Sequence, residues 1–344
     1  MNTLKIAVVF GGASEERNVS IASGLQVIRA LQQKGHDVLG IDTAKGLLSE
    51  AQVNQLENFQ ILEKLPEHQE LAEIKSSTAL NLFNQRDLDQ VDVVFIALHG
   101  GSGEDGSVQA MLETASIPFT GSGRVGSTLA MDKDIAKRLM LAAGIPTAEW
   151  IMCSGPSNQI ENPFDFPVIV KPNAQGSTVG LSLVKQSVDL AAAIQKAGQF
   201  GDEVMIERYI GGRELTVGVL DDRALAVGEI IVKSEIFDYS SKYQPGAAQE
   251  IFPADLSDSQ AQRIQELGLK VHKTLKLEGF SRVDFRMDNN GGLWVLEANT
   301  VPGLTRMSLL PQSARAAGIG FSDLCDEICR SAVAKFSKPK GCQE

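Results

Sequence analysis

Cysteine is scarce in this chain. Its four cysteines, Cys153, Cys325, Cys329 and Cys342, form no CxxC pair, so no disulfide framework is indicated. Cys325 and Cys329 are four apart in a segment of helical spacing, where packing accounts for them more readily than a metal or redox role. Long apolar runs are missing too: none approaches the roughly 20 residues a membrane span needs. The opening MNTLKIAVVFGG passes straight into a strand and does not read as a signal peptide. Positive charge is in deficit, with a formal net charge of −11. That argues against nucleic acid or an anionic membrane as the main partner, yet leaves room for a local basic site. There is no internal repeat and no low-complexity segment. A cytoplasmic enzyme fits all of these absences.

With 344 residues, 43% hydrophobic and 22% charged, the chain is too long for one compact core and suits two or three domains. Lys5 to Phe10 is an apolar run stopped by Gly11-Gly12, a buried strand. Ser20 to Gly35 has helical spacing, and His36 to Ile41 resembles a second strand. This β-loop-α-β opening predicts an α/β domain with a parallel sheet. Residues 44–90 are polar and carry no assignable pattern. Val91 to Leu98 is a clear buried strand, followed by the loop His99 to Gly106, a helix over Ser107 to Ala115 and a short strand at Pro118 to Thr120.

The spacing then predicts one helix over Gly126 to Ala143, strands at Thr147 to Met152 and Phe166 to Lys171, a helix at 187–199 and a strand at Val204 to Tyr209. Next come an antiparallel hairpin (213–220 and 224–232), a loop at 233–254 with little periodicity, and a helix over 257–276. A second hairpin at 280–299 and helices at 308–317 and 321–336 close the chain. The expected domains are 1–121, 122–206 and 207–344.

The second hairpin, SRVDFRMDNNGGLWVLEANT, carries the most information. With Asn289-Asn290-Gly291-Gly292 as its loop, cross-strand partners have numbers that sum to 581. Asp284 then faces Glu297 and Arg282 faces Asn299, all four on one side of the ladder. Carboxylates directly opposite repel. A hard cation offsets that repulsion, and two carboxylates with an amide oxygen suit Mg²⁺. The alternative is a solvated charged face, which the apolar neighbours Phe285, Val295 and Leu296 disfavour.

Other segments say less alone. VIVKPNAQGSTVG delivers Lys171 on a strand before a flexible loop, but it is neither a P-loop nor GxGxxG. Gly11-Gly12-Ala13-Ser14-Glu15-Glu16 lacks the third glycine of a dinucleotide fingerprint, and its acids suit an ammonium group better than a pyrophosphate. That counts against a nicotinamide dehydrogenase; the loop is otherwise a plain strand-to-helix turn. Gly303 in a tight turn can offer an N–H to an oxyanion, and Ser308 opens a helix, either as a carboxylate ligand or as an ordinary cap. His99, at a strand end beside a glycine loop, sits where α/β folds place site residues.

Taken in order, these segments resemble D-alanine–D-alanine ligases of the ATP-grasp superfamily: FGGASEERNVS (10–20), ALHGGSGEDGSVQ (97–109), TGSG (120–123), MDK (131–133), VKPNAQGSTVG (170–180), ERYIGGRELTV (207–217), FDYSSKY (237–243), RVDF (282–285) and LEANTVPGLTRMSLLP (296–311). The resemblance implies an ATP-grasp fold, α+β in its ATP-binding part, behind an N-terminal parallel-sheet α/β domain. It implies ATP bound by Lys133, Lys171, Ser177, Glu207, Arg208, Tyr209, Ile210, Glu214 and Lys242. Two Mg²⁺ (or Mn²⁺) would be held by Asp284, Glu297 and Asn299.

For the substrates the resemblance implies D-alanine contacts from Glu16, His99, Arg282, Ser308 and Leu309. Arg282 and the Gly303 N–H would stabilise the oxyanion. Glu16, Ser177 and Tyr243 would form a hydrogen-bonded trio that closes a mobile loop over the site. Two D-alanines would be joined through an acyl phosphate for peptidoglycan synthesis by a cytoplasmic homodimer. A related ligase taking another D-amino acid or a hydroxy acid as second substrate is the alternative; Tyr243 disfavours the ester-forming type. Gln175 stands where the family usually has an acid, Thr178 where it has a serine, and Ala110 where it has a glycine.

Overall fold

The computed structural model describes residues 2–56, 71, 74, 88, 90–154, 162–232 and 248–337. Lys242, Tyr243, Cys342 and most of the predicted 233–254 loop lie outside the described residues.

The first sheet has the order β3-β2-β1-β4. Its elements are β1 (Lys5–Phe10), α1 (Arg17–Gln33), β2 (Asp37–Asp42), β3 (Gly46–Leu48), α2 (Glu50–Gln55) and β4 (Val93–Ile96). β1 pairs in parallel with both β2 and β4. Its apolar run is buried on both faces, as a central parallel strand requires. Because β1 separates β2 from β4, a crevice opens at the carboxyl ends of β1 and β4. Gly11-Gly12 and His99 sit there. α1 starts at Arg17, three residues before the expected Ser20. Ser20 is instead a tie inside the helix: its Oγ accepts from the Gly11 N–H (2.8 Å) and donates to the Ala97 carbonyl (2.5 Å).

Next come α3 (Ser107–Thr114), α4 (Arg124–Met131) and α5 (Lys133–Ala142). The single helix expected over 126–143 is thus two. Apolar periodicity runs on through the break, but Asp132 leaves helical geometry and caps α5 by accepting from the Ile135 N–H at 3.0 Å. Lys133 thereby becomes the first residue of α5.

The second sheet, β5-β8-β6-β7, is antiparallel. It contains β5 (Trp150–Ser154), β6 (Val168–Pro172), β7 (Ser182–Val184) and β8 (Glu203–Arg208), with α6 (Leu190–Ala197) against it. The third sheet, β11-β10-β9-β12-β13, is also antiparallel. It contains β9 (Arg213–Leu220), β10 (Arg223–Val232), β11 (Ala248–Ile251), β12 (Phe280–Met287) and β13 (Leu293–Asn299). The helices α7 (Asp258–Thr274), α8 (Leu309–Ala316) and α9 (Phe321–Ser337) complete the chain.

Two cores cross the order of the sequence. Ala130, Ala136 and Met140 from α4 and α5 share a core with Val217, Phe285 and Val295 of the third sheet. Cys325 and Cys329 of α9 pack with Ile28 and Leu31 of α1, and burial pushes both thiols above their ordinary range. Unreactive packing residues are the result. Among the described residues, no helix is long and apolar enough to cross a membrane.

His272 on α7 is 4% exposed, and its Nδ1 lies 2.7 Å from Ser281 Oγ. Burial lowers its pKa from 6.5 to about 4, against the opposing charges of Asp222, Asp221 and Glu278. A base with a depressed folded pKa contributes stability that is present above its unfolded value and lost as pH falls. Acidifying from pH 6.5 to 4 is expected to cost up to about 3 kcal/mol from this residue. His272→Asn should flatten the stability–pH curve in that window, measured by urea denaturation across pH.

Candidate active site

A cleft of about 990 Å³, its open mouth included, lies between the second and third sheets. β6 brings Lys171 to it, β8 brings Glu207 and Arg208, and Tyr209, Ile210 and Glu214 follow along its wall. α5 contributes Lys133 from its first turn. The opposite wall is the hairpin of β12 and β13, with Arg282, Asp284, Leu296 and Glu297. Leu309 closes one end, where it packs with Ile230.

The expected register holds where it matters and fails near the turn. Arg282 pairs with Asn299, and Asp284 with Glu297. The loop, however, has five residues, 288–292, because Asp288 joins it and Met287 pairs with Leu293. Asp288 accepts from the N–H groups of Asn290 (2.9 Å) and Gly292 (2.8 Å), which draws it out of the strand. A bulge between Asp284 and Phe285 absorbs the extra residue, placing Leu296 and Glu297 together opposite Asp284. Phe285 and Val295 are fully buried in the core, while Leu296 joins Glu297 on the cleft wall.

The acidic face carries its own counter-charges. Arg282 grips Asp284 with a two-bond fork, Nε to Oδ1 and Nη2 to Oδ2, both 2.8 Å. Thr216 Oγ1 (2.7 Å) and Asn299 Nδ2 (3.0 Å) also donate to Asp284. Burial works against the guanidinium, but Asp284 outweighs it and raises the Arg282 pKa. Glu297 lies 3.3 Å from the Lys133 ammonium, which also donates to the Gln175 carbonyl at 2.6 Å. Gln175 Nε2 donates to the Phe200 carbonyl (3.1 Å), a bond no carboxylate could make.

The loop after β6 is tied to the start of α1. Ser177 Oγ donates to Glu16 Oε1. Ser177 and Thr178 both take left-handed conformations, at φ of 48° and 58°, unusual for residues with a Cβ. The third member of the expected trio, Tyr243, and the expected ATP contact Lys242 lie outside the described residues.

His99 is 3% exposed with both ring nitrogens engaged. Nδ1 is 2.8 Å from the Val301 carbonyl, so it carries the proton, and Nε2 accepts from Ser23 Oγ at 2.8 Å. Ser23 Oγ accepts in turn from the Leu304 N–H. His99 therefore anchors the 301–304 turn. That turn folds over the start of α8: a Cβ on Gly303 would stand 2.8 Å from Ser308 Oγ. Ser308 occupies the N-cap position without capping; its hydroxyl pairs with the N–H and hydroxyl of Thr305. Gly11 and Gly12 donate their N–H groups to Ser20 and Thr43 hydroxyls, which leaves no phosphate cradle there and removes the dehydrogenase reading.

Two residues that the sequence did not single out organise this wall of the cleft. Arg286 donates to the carbonyls of Ile210 (3.0 Å) and Gly212 (3.1 Å) and to Glu214 Oε2 (3.1 Å). Lys137, fully buried, donates to Glu207 Oε1 and Thr147 Oγ1, both at 2.5 Å. Lys171 takes the other Glu207 oxygen at 2.7 Å. Burial works to raise the Glu207 pKa, but Lys171 and Lys137 outweigh it and hold the carboxyl below its usual range. Neither Arg286 nor Lys137 has a local signature, because their carboxylate partners, Glu214 and Glu207, lie 70 or more residues away.

Two family models match this chain, D-ala D-ala ligase N-terminus over residues 5–122 and D-ala D-ala ligase C-terminus over residues 139–330. The chain belongs to the D-alanine–D-alanine ligase family. Full-length relatives agree. It is 39% identical over 340 residues to the D-alanine–D-alanine ligase of Geotalea uraniireducens, covering 98% of each chain. It is 38% identical to that of Geobacter sulfurreducens over 339 residues, covering 98% of this chain and 96% of the relative. Among solved structures, the Bacillus anthracis D-alanine–D-alanine ligase complexed with ATP superposes with a TM-score of 0.75 at 30% identity, over 97% of this chain and 99% of that one. The expected α/β architecture of the ATP-grasp family is the one observed.

Proposed function

We propose that this member of the D-alanine–D-alanine ligase family joins two D-alanines with ATP, through a D-alanyl phosphate. One observation carries the reading: the Asp284–Glu297 pair faces Lys133 and Lys171 across a cleft between two antiparallel sheets. The substrates follow from the family. A carboxylate is a poor acyl donor, so the first D-alanine's carboxylate attacks the γ-phosphate and ADP leaves. The second D-alanine's amine then displaces phosphate.

In this reading Lys133 and Lys171 offset charge on the transferring phosphoryl group. Glu207, Arg208, Tyr209 and Ile210 line the adenine, Glu214 takes the ribose, and Ser177 and Lys242 contribute to the phosphate side. Glu16 takes the first ammonium group. Arg282 keeps its fork on Asp284 and turns Nη1, with the Gly303 N–H, to the oxyanion. Ser308, beside Leu309, takes the second carboxylate, and His99 steadies the turn between them. Glu16, Ser177 and Tyr243 close the loop so that water does not hydrolyse the acyl phosphate.

The oxygen set of Asp284, Glu297 and the Asn299 amide fits two Mg²⁺ or Mn²⁺, since this face already needs positive charge from Arg282 and Lys133. When bound, the ions supply Lewis-acid charge stabilisation to the phosphates. A cytoplasmic homodimer acting on neither membrane nor nucleic acid completes the proposal, in keeping with the net charge of −11.

The test is incubation with ATP, Mg²⁺ and a panel of amino and hydroxy acids, followed by mass spectrometry and ADP assay. D-Alanine alone should yield the dipeptide with stoichiometric ADP. No dipeptide from D-alanine, with product from another second substrate, would move the reading to the related ligases.

A further inference from the structure

Glu207 is 2% exposed and holds two ammonium groups. They are not equivalent. Lys171 reaches it from β6, and its side chain lines the cleft at 10% exposure. Lys137 reaches it from behind with a side chain 1% exposed, its Nζ also 4.9 Å from the centroid of the Trp150 ring. Lys137 is tied to the far wall as well. Thr147 Oγ1 accepts from Lys137 and donates to the Val295 carbonyl (2.8 Å), two residues before Glu297 on β13. The Val295 N–H in turn donates to the Pro146 carbonyl (2.9 Å).

A buried carboxylate tolerates the loss of one cation only if another remains. Lys171 is the one able to leave, because it borders the cleft. Lys137 has no route to solvent or ligand. Resting on the ATP-ligase reading, we propose that Lys137 is a positioning residue: it keeps Glu207 fixed and compensated while Lys171 turns from Glu207 to the nucleotide phosphates. Lys137 touches no substrate. It acts through Glu207, and through Thr147 it holds the two walls of the nucleotide cleft in register.

The consequence is selective for the nucleotide. Without Lys137, Lys171 stays bound to Glu207 as its only counter-ion, and ATP must compete with that pair. Lys137→Met should raise the KM for ATP about tenfold or more, the scale of one charged hydrogen bond. The KM for D-alanine should not change, and kcat should change less than the KM for ATP. Lys137→Arg, which keeps a charge able to bond Glu207 and stack on Trp150, should recover much of the loss. ADP affinity measured by calorimetry should follow the same order.

A Met variant with wild-type KM for ATP would overturn the role. So would a uniform loss in kcat and both KM values that Arg does not repair, since that pattern belongs to a merely structural lysine. Where Lys137→Met does not fold, Lys137→Gln keeps a hydrogen-bond donor beside Glu207 and Thr147 and removes the charge. A selective rise in the KM for ATP supports the proposal there, and no rise overturns it. Wild-type protein that binds no ATP would instead sink the functional reading itself, a result read separately from any variant.

Discussion

Glu297→Ala is expected to abolish ligation, with kcat down by roughly 10³-fold or more, the several kcal/mol that charge stabilisation at a phosphoryl group supplies. The fold should survive. Glu297 is partly exposed in the cleft wall, and Lys133 keeps its bond to the Gln175 carbonyl when the carboxylate is gone. Circular dichroism and the thermal midpoint should therefore stay near wild type while dipeptide formation disappears. Titrating Mg²⁺ separates the causes: Glu297→Gln should regain part of its rate at high Mg²⁺, whereas alanine should not. Near-wild-type turnover by the alanine variant is incompatible with a cation on this face.

Arg282→Leu is expected to do two things at once. It removes the guanidinium assigned to the oxyanion, so activity should fall at least a hundredfold, the scale of a lost oxyanion donor. It also removes the fork from Asp284, which is only 8% exposed. A buried carboxylate stripped of its partner costs about 3–5 kcal/mol, read as a lower urea midpoint. Arg282→Lys keeps charge without the fork and should fall between. An Arg282→Leu variant as stable as wild type at neutral pH would show that Thr216 and Asn299 suffice to hold Asp284.

The legible part of the site lies where local rules decide. A strand pair joined by a short turn fixes its own register, so the opposition of Asp284 and Glu297 followed from numbering. The Gly11-Gly12 turn and the apolar runs of β1 and β4 read directly because burial on both faces leaves a continuous apolar string. What stayed hidden depends on distant chain. The Asp132 break follows from a cap that periodicity does not register. Lys137, Arg286 and Ser23 looked like ordinary helix and strand residues; their partners Glu207, Ile210 and Leu304 lie 70 to 281 positions away. In residues 44–56 the pattern was faint because β3 and α2 are only three and six residues long; most of 57–90 lies outside the described residues. His99 was legible as a site residue, though its hydrogen bonds to Val301 and Ser23 point to an anchoring task.

The bulge at Leu296 has a consequence for how the chain tolerates changes in length. The five-residue loop and the bulge are a matched pair, one extra residue on each side of three ladder rows. Deleting Leu296 closes the bulge without moving Glu297 from Asp284, because the rows on both sides keep their partners. Deleting a loop residue shortens the turn and leaves the bulge and all three rows as they are, so Glu297 again stays opposite Asp284. The acidic pair is thus insulated from a deletion at either end of the three rows. Homologous hairpins of four-residue loop without the bulge, or five with it, can present the same face to the same ligand.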